Sequence, residues 1–185
     1  MFLTFSRKRE GCKICIPLIL LMALAVIAPS SFLLLNYNSA KASSYDLKIT
    51  EVMYNPASGL DADEFIELYN SSDSPLDVSR WCFTSGINAC FDTDTTVEGN
   101  SYILVGADAS QFQETYKKTL DLEFASGKLS NSGERIALED SFGNLVIDFT
   151  YSDEVPWPEG ADGGGPSLEV KDHLEVSSSS NNWAS

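Results

Sequence analysis

Four carboxylates crowd one short stretch, at Asp61, Asp63, Glu64 and Glu67. Such side chains suit two kinds of chemistry. Two carboxylates converging on a cleft do general acid–base work, and six or more oxygens from a tight loop hold Ca2+. The spacing favours neither. Glu67 lies within an extended segment beside apolar neighbours, Asp61 and Asp63 precede it in a loop, and the run matches no EF-hand. The expectation is a solvated loop, with Asp61, Asp63 and Glu64 as weak Ca2+ candidates, no other cofactor and no catalytic residue. Asp92-Thr93-Asp94 is a fainter version of the same pattern.

Other tempting residues also read as structural. His173 is the only histidine, stands near the chain end and has no cysteine or acid constellation around it, so a surface position is expected. Gly160 to Pro166 lacks a lysine and opens no helix, which makes a flexible turn the better reading than a phosphate cradle. Trp81, Tyr54, Tyr69 and Phe149 suit core packing rather than carbohydrate platforms, while Trp157, between Pro156 and Pro158, suits a loop. Cys82 and Cys90 lie on either side of Ser85-Gly86-Ile87-Asn88, a spacing that allows a disulfide closing a hairpin in an oxidising compartment. Cys12 and Cys15 resemble a redox or metal half-site, but no βαβ pattern follows them. Asn70-Ser71-Ser72 is a glycosylation sequon.

The elements that would position these residues follow a hydrophobic leader. Arg7, Lys8, Arg9 and Lys13 precede an apolar run from Ile14 to Leu35, and the polar stretch beyond it reaches Ala40-Lys41-Ala42. Small residues at both alanines form a signal-cleavage site between Ala42 and Ser43. A retained membrane anchor is the competing reading, because the run is nearly long enough to span a bilayer. Either way the basic flank holds the N-terminus in the cytoplasm and places the remainder outside, secreted or anchored at the cell surface. Residues 1–42 are thus expected as a targeting helix and 45–185 as one domain. From Ser43 onward there are 26 acidic and 7 basic residues, a net charge of −19. That charge argues against direct binding to nucleic acid or anionic lipid and leaves the N-terminal segment as the sole membrane contact.

The domain itself reads as short strands between turn residues. Extended segments are expected at 47–54, 64–70, 76–83, 101–106, 134–138, 145–151 and 167–171, with one short helix at 111–118. Glu139 to Asn144 is the loop of a hairpin. Seven to nine strands at such spacing imply an all-β antiparallel sandwich.

Several segments, taken in order, carry a resemblance. They are Ile49-Thr50-Glu51-Val52-Met53-Tyr54-Asn55-Pro56, Asp63 to Asn70, Leu76 to Trp81, Glu98 to Val105, Leu129 to Leu138, and then Trp157-Pro158, Asp162-Gly163, Ser167-Leu168-Glu169 and Asn182-Trp183. From Leu47 to Trp183 the chain resembles the lamin-tail domain of the exported prokaryotic type, an immunoglobulin-like β-sandwich. Arg80 departs from the pattern, since a glycine often stands there. The C-terminal edge also departs, ending at Ser185 where exported members often continue, so a truncated edge is expected. The resemblance implies a non-catalytic binding, adhesion or scaffolding module whose partner is an unidentified protein, glycan or envelope component. The alternative is an accessory domain of a larger exported hydrolase or nuclease.

Overall fold

The computed structural model describes residues 41–174 and 179–185. The hydrophobic leader, with Cys12 and Cys15, lies outside the described residues. Among the described residues, no helix is long and apolar enough to cross a membrane.

Thirteen strands and one α-helix are present among the described residues: β1 (Leu47–Met53), β2 (Phe65–Asn70), β3 (Leu76–Asp77), β4 (Cys82–Ser85), β5 (Ile87–Cys90), β6 (Thr96–Val97), β7 (Tyr102–Gly106), α1 (Ala109–Tyr116), β8 (Leu122–Glu123), β9 (Ser126–Gly127), β10 (Glu134–Glu139), β11 (Leu145–Tyr151), β12 (Leu168–Val170) and β13 (Trp183–Ala184). A six-stranded sheet runs β13-β12-β1-β2-β7-β8 and a five-stranded sheet runs β11-β10-β4-β5-β9. The small β3-β6 pair forms a third. All pairings are antiparallel except β7 with β8.

The core lies between the two large sheets. Ile49, Val52, Ile66, Leu68, Val105 and Leu168 enter it from one side, and Phe83, Ile136, Leu138, Ile147 and Phe149 from the other. Each such side chain contributes about 1.5–3 kcal/mol when fully buried. Strict alternation from Leu47 would send Glu51 inward. A bulge at Thr50 prevents this, because Ile49 pairs with Leu68 while Glu51 pairs with Glu67. The extra residue turns Val52 into the core and Glu51 and Met53 outward.

The expected 76–83 strand is two strands with a turn between them. The Val78 carbonyl accepts from the Trp81 N–H at 3.0 Å, and Arg80 sits at φ 62°. The third position of such a turn favours glycine, which accounts for the glycine common there in the resembling sequences. The helix starts two residues earlier than expected because the Asp108 carboxylate caps it, accepting from the Gln111 N–H at 2.8 Å. It packs on the outer face of the six-stranded sheet, where Phe112 joins Met53 and Phe65 in a second small core.

Cys82 and Cys90 face each other directly on β4 and β5 and form a disulfide with their Cα atoms 4.1 Å apart. A loop this short stabilises by about 2–3 kcal/mol in the chain-entropy account.

Candidate functional site

The carboxylates that opened the sequence reading do not converge. A 3-10 turn at Asp61–Asp63 sends Asp61, Asp63 and Glu64 to three different places, while Glu67, on β2, accepts from Thr50 Oγ1 at 2.8 Å. Asp61 pairs with Lys128 Nζ at 3.0 Å on the surface. Asp63 is only 1 % exposed and accepts from Ser58 Oγ, from Thr115 Oγ1 at 2.7 Å and from Gln111 Nε2 at 3.1 Å. Burial pushes its carboxyl upward, but these three donors outweigh that and hold it below the usual range. Asp63 is therefore the docking post of α1, whose Tyr116 hydroxyl also donates to the Asp63 carbonyl. The solvated loop expected here is, at Asp63 and Glu64, buried structure.

Glu64 is likewise 1 % exposed. Its Oε2 accepts from the Leu129 N–H at 2.7 Å, whereas Oε1 is buried with no hydrogen-bond partner. Burial raises its carboxyl to about 7, with Asp61 and Glu134 adding to the rise and the Leu129 N–H and Lys128 opposing it. That value would suit a general base, but a group sealed to this degree meets no substrate. Among the described residues, no three His, Cys, Asp or Glu side chains are grouped so as to hold a metal ion.

The remaining singled-out residues are also placed. Trp81, Tyr54 and Phe149 are core residues. Tyr69 is not, because β2 alternation puts it on the outer face, where it packs against Tyr102 at 4.5 Å and His173 at 4.9 Å. Trp157 packs edge-on to Phe149 at 5.9 Å. The sequon Asn70 is fully buried, and its amide donates to the carbonyls of Ser74, Val97 and Glu98, so the folded chain offers it to no glycosylating enzyme. The glycine-rich turn is tied down at Gly163, whose N–H donates to the Asn55 carbonyl at 3.1 Å. Ala42 packs into the main core, and Ser43 opens the first 3-10 turn with a capping box to Asp46.

A different set of residues forms a groove of about 420 Å³ at the loops. Its walls come from Lys41–Ala42, from Pro75–Trp81, from Thr93–Asp94 and from the β10–β11 hairpin tip at Asp140–Phe142. The last three of these walls are braced. The Thr95 N–H donates to Ser79 Oγ at 3.1 Å and the Val78 N–H to the Thr95 carbonyl at 3.0 Å. The disulfide lies directly beyond Trp81 and Phe91. At the tip, the Asp140 carboxylate accepts from the N–H groups of Phe142 and Asn144, each at 2.8 Å, and from Asn144 Nδ2 at 2.8 Å. These bonds keep the Asp140 carboxyl below its ordinary value. The ring of Phe142 points outward from this tip, 88 % exposed. Sequence reasoning passed over Phe142 because a lone aromatic in a hairpin loop carries no periodic signal. The one available clue was Asp140 followed by Gly143-Asn144, which marks a tight, side-chain-capped tip.

Comparison with known proteins adds the decisive observation. The family profile described as Lamin Tail Domain matches residues 40–153, well over half of the chain. The chain belongs to the lamin tail domain family. The lamin tail domain is a non-enzymatic, immunoglobulin-like fold, which agrees with the two packed sheets described above. The family match ends at Asp153, yet beyond it β12 pairs onto β1 and β13 onto β12, which completes the larger sheet. No curated protein matches the chain.

Proposed function

We propose that this lamin tail domain is an extracytoplasmic, non-catalytic binding module, with residues 1–42 as its signal peptide or membrane anchor and 45–185 as the binding domain. The observation that carries the reading is the braced loop-end groove with Phe142 projecting beside it. Exposing a phenylalanine forgoes about 1.5–3 kcal/mol of burial, and a rigid hairpin tip that does so suits contact with a partner. The Cys82–Cys90 bridge supports an oxidising compartment, where such bonds persist. The partner is an envelope component, and the strongly acidic surface disfavours nucleic acid.

Affinity capture tests this. The full chain with a C-terminal tag is incubated with envelope extract beside a Phe142→Ala, Arg80→Gly double variant. The expected result is a component retained by the wild type and lost by the variant. Equal retention by both proteins, or hydrolytic turnover by the purified chain, refutes the reading.

A further inference from the structure

We propose that the loop-end groove is a saccharide site, with Phe142 as the stacking platform and Arg80 and Asp94 as the polar arms. The inference rests on the binding-module reading and adds the ligand class. Three observations lead to it.

The first is Phe142. Its ring is exposed at a hairpin tip whose backbone Asp140 fixes. An aromatic face presents a flat apolar surface with a negative quadrupole, and the C–H face of a pyranose ring is its natural counterpart.

The second is the pair of strained arms. Arg80 and Asp94 hold φ 62° and 63°, a region that disfavours side chains by about 1 kcal/mol or more. Both line the groove. Among the described residues, neither side chain has a hydrogen-bond or ion-pair partner, although the domain is rich in potential acceptors. The unpaired guanidinium offers five donors in a planar fork and the unpaired carboxylate only acceptors. Neighbouring sugar hydroxyls both donate and accept, so they satisfy both arms at once.

The third is charge balance. Within the binding domain, Arg80 lines the groove together with Asp77, Asp94 and Asp140, and Lys41 stands at its edge only while the leader is attached. An anionic membrane would meet the three carboxylates and the charge of the whole domain, and a basic peptide is the competing occupant in the test below. An uncharged, hydroxyl-rich ligand meets no such repulsion. The volume of about 420 Å³ lies near the lower end of the roughly 300–1,000 Å³ usual for small-ligand sites, which suits a short run of sugar units.

The test is a titration of the full chain with cellotetraose, N-acetylchitotetraose and mannotetraose, read by the change in tryptophan fluorescence, to which Trp81 at the groove wall contributes, and by calorimetry. A basic peptide and phosphatidylglycerol vesicles serve as competing occupants. At least one tetrasaccharide is expected to bind with Kd at or below about 1 mM. Phe142→Ala and Arg80→Gly are each expected to weaken it about tenfold or more, as central contacts do. Arg80→Gly also relieves the positive φ, so its loss of binding is not a loss of fold. Tyr102→Ala, an exposed aromatic on another face, leaves binding unchanged. The proposal is overturned if no tetrasaccharide binds, if the two groove variants bind as well as the wild type, or if only the peptide or the vesicles bind. Capture of an envelope component without saccharide binding would overturn this inference alone and leave the module reading standing.

Discussion

The Leu129 N–H donates to one oxygen of Glu64 at 2.7 Å, and the other oxygen of the same carboxylate meets nothing. One oxygen is anchored on the chain before β10 while its twin is stranded inside the sandwich. Burial therefore raises the carboxyl to about 7, and the fold carries a titrating group in its interior.

The sign of the effect follows from linkage. The ordinary value is 4.5, so below it both folded and unfolded chains hold the proton and nothing changes. Between 4.5 and about 7 the unfolded chain ionises first, and stability falls as pH rises. Above that range the loss is complete, on the order of 3 kcal/mol. Asp61 and Glu134 deepen this loss, and Lys128 and the Leu129 N–H reduce it. Urea unfolding at pH 5, 6, 7 and 8 is expected to show the decline. Glu64→Gln, which keeps the acceptor for Leu129 and removes the charge, is expected to flatten it. An unchanged slope in the variant would assign the decline to other groups.

Asp63 offers a second prediction. Its carboxylate gathers donors from Ser58, Thr115 and Gln111, two of which are on α1. Asp63→Ala removes all three acceptor contacts and is expected to cost about 2–4 kcal/mol. The damage should be local. Hydrogen exchange over Ala109–Tyr116 is expected to rise well above that of β10 and β11. Uniform loss of protection across both sheets would mean that the helix is not separately docked.

The outer face of the larger sheet carries an unfavourable row. Glu169, Glu51 and Glu67 stand directly opposite one another on β12, β1 and β2. Burial raises the Glu51 carboxyl, Ser167 opposes the rise with a hydrogen bond, and Glu67 and Glu169 add to it. Like charges in register destabilise a sheet by roughly 0.2–1 kcal/mol per pair. Glu169→Lys is thus expected to stabilise the domain by about that amount at low salt, with the gain shrinking in 1 M NaCl. A lower Tm for the variant at low salt contradicts this.

Much of the architecture was legible in the residues. Ile66 and Leu68 alternate with Phe65, Glu67 and Tyr69, and Ile147, Phe149 and Tyr151 alternate with Asp148 and Thr150, so β2 and β11 announce themselves. β1 did so only as far as Thr50, because a bulge is a matter of pairing and leaves the apolar count of a strand unaltered. The turn at Val78–Trp81 was hidden for a related reason. An arginine occupies a position whose backbone favours glycine, so the usual turn signal is missing. The strands β3, β6, β8 and β9 have two residues each and exist only because neighbours hold them. At the candidate site, the types of Asp61, Asp63 and Glu64 were plain, but their divergence was not. Which way a carboxylate turns is set by α1 and by the Leu129 backbone, both distant in sequence. The groove was illegible for the same reason, since its walls come from four separated segments.

Ser167 donates to Glu51 across a separation of 116 positions, and Trp183 is packed into the interior formed largely by earlier strands. The first strand is flanked on one side by its immediate successor and on the other by β12, which is synthesised more than a hundred residues later. A nascent chain thus has no way to finish the larger sheet early. Its apolar faces stay open until β12 and β13 arrive, and closure then comes late and nearly all at once. Polypeptide handed from ribosome to its destination in an extended, threadable form would arrive still able to fold, and any holding factor it needs must act before Trp183 emerges.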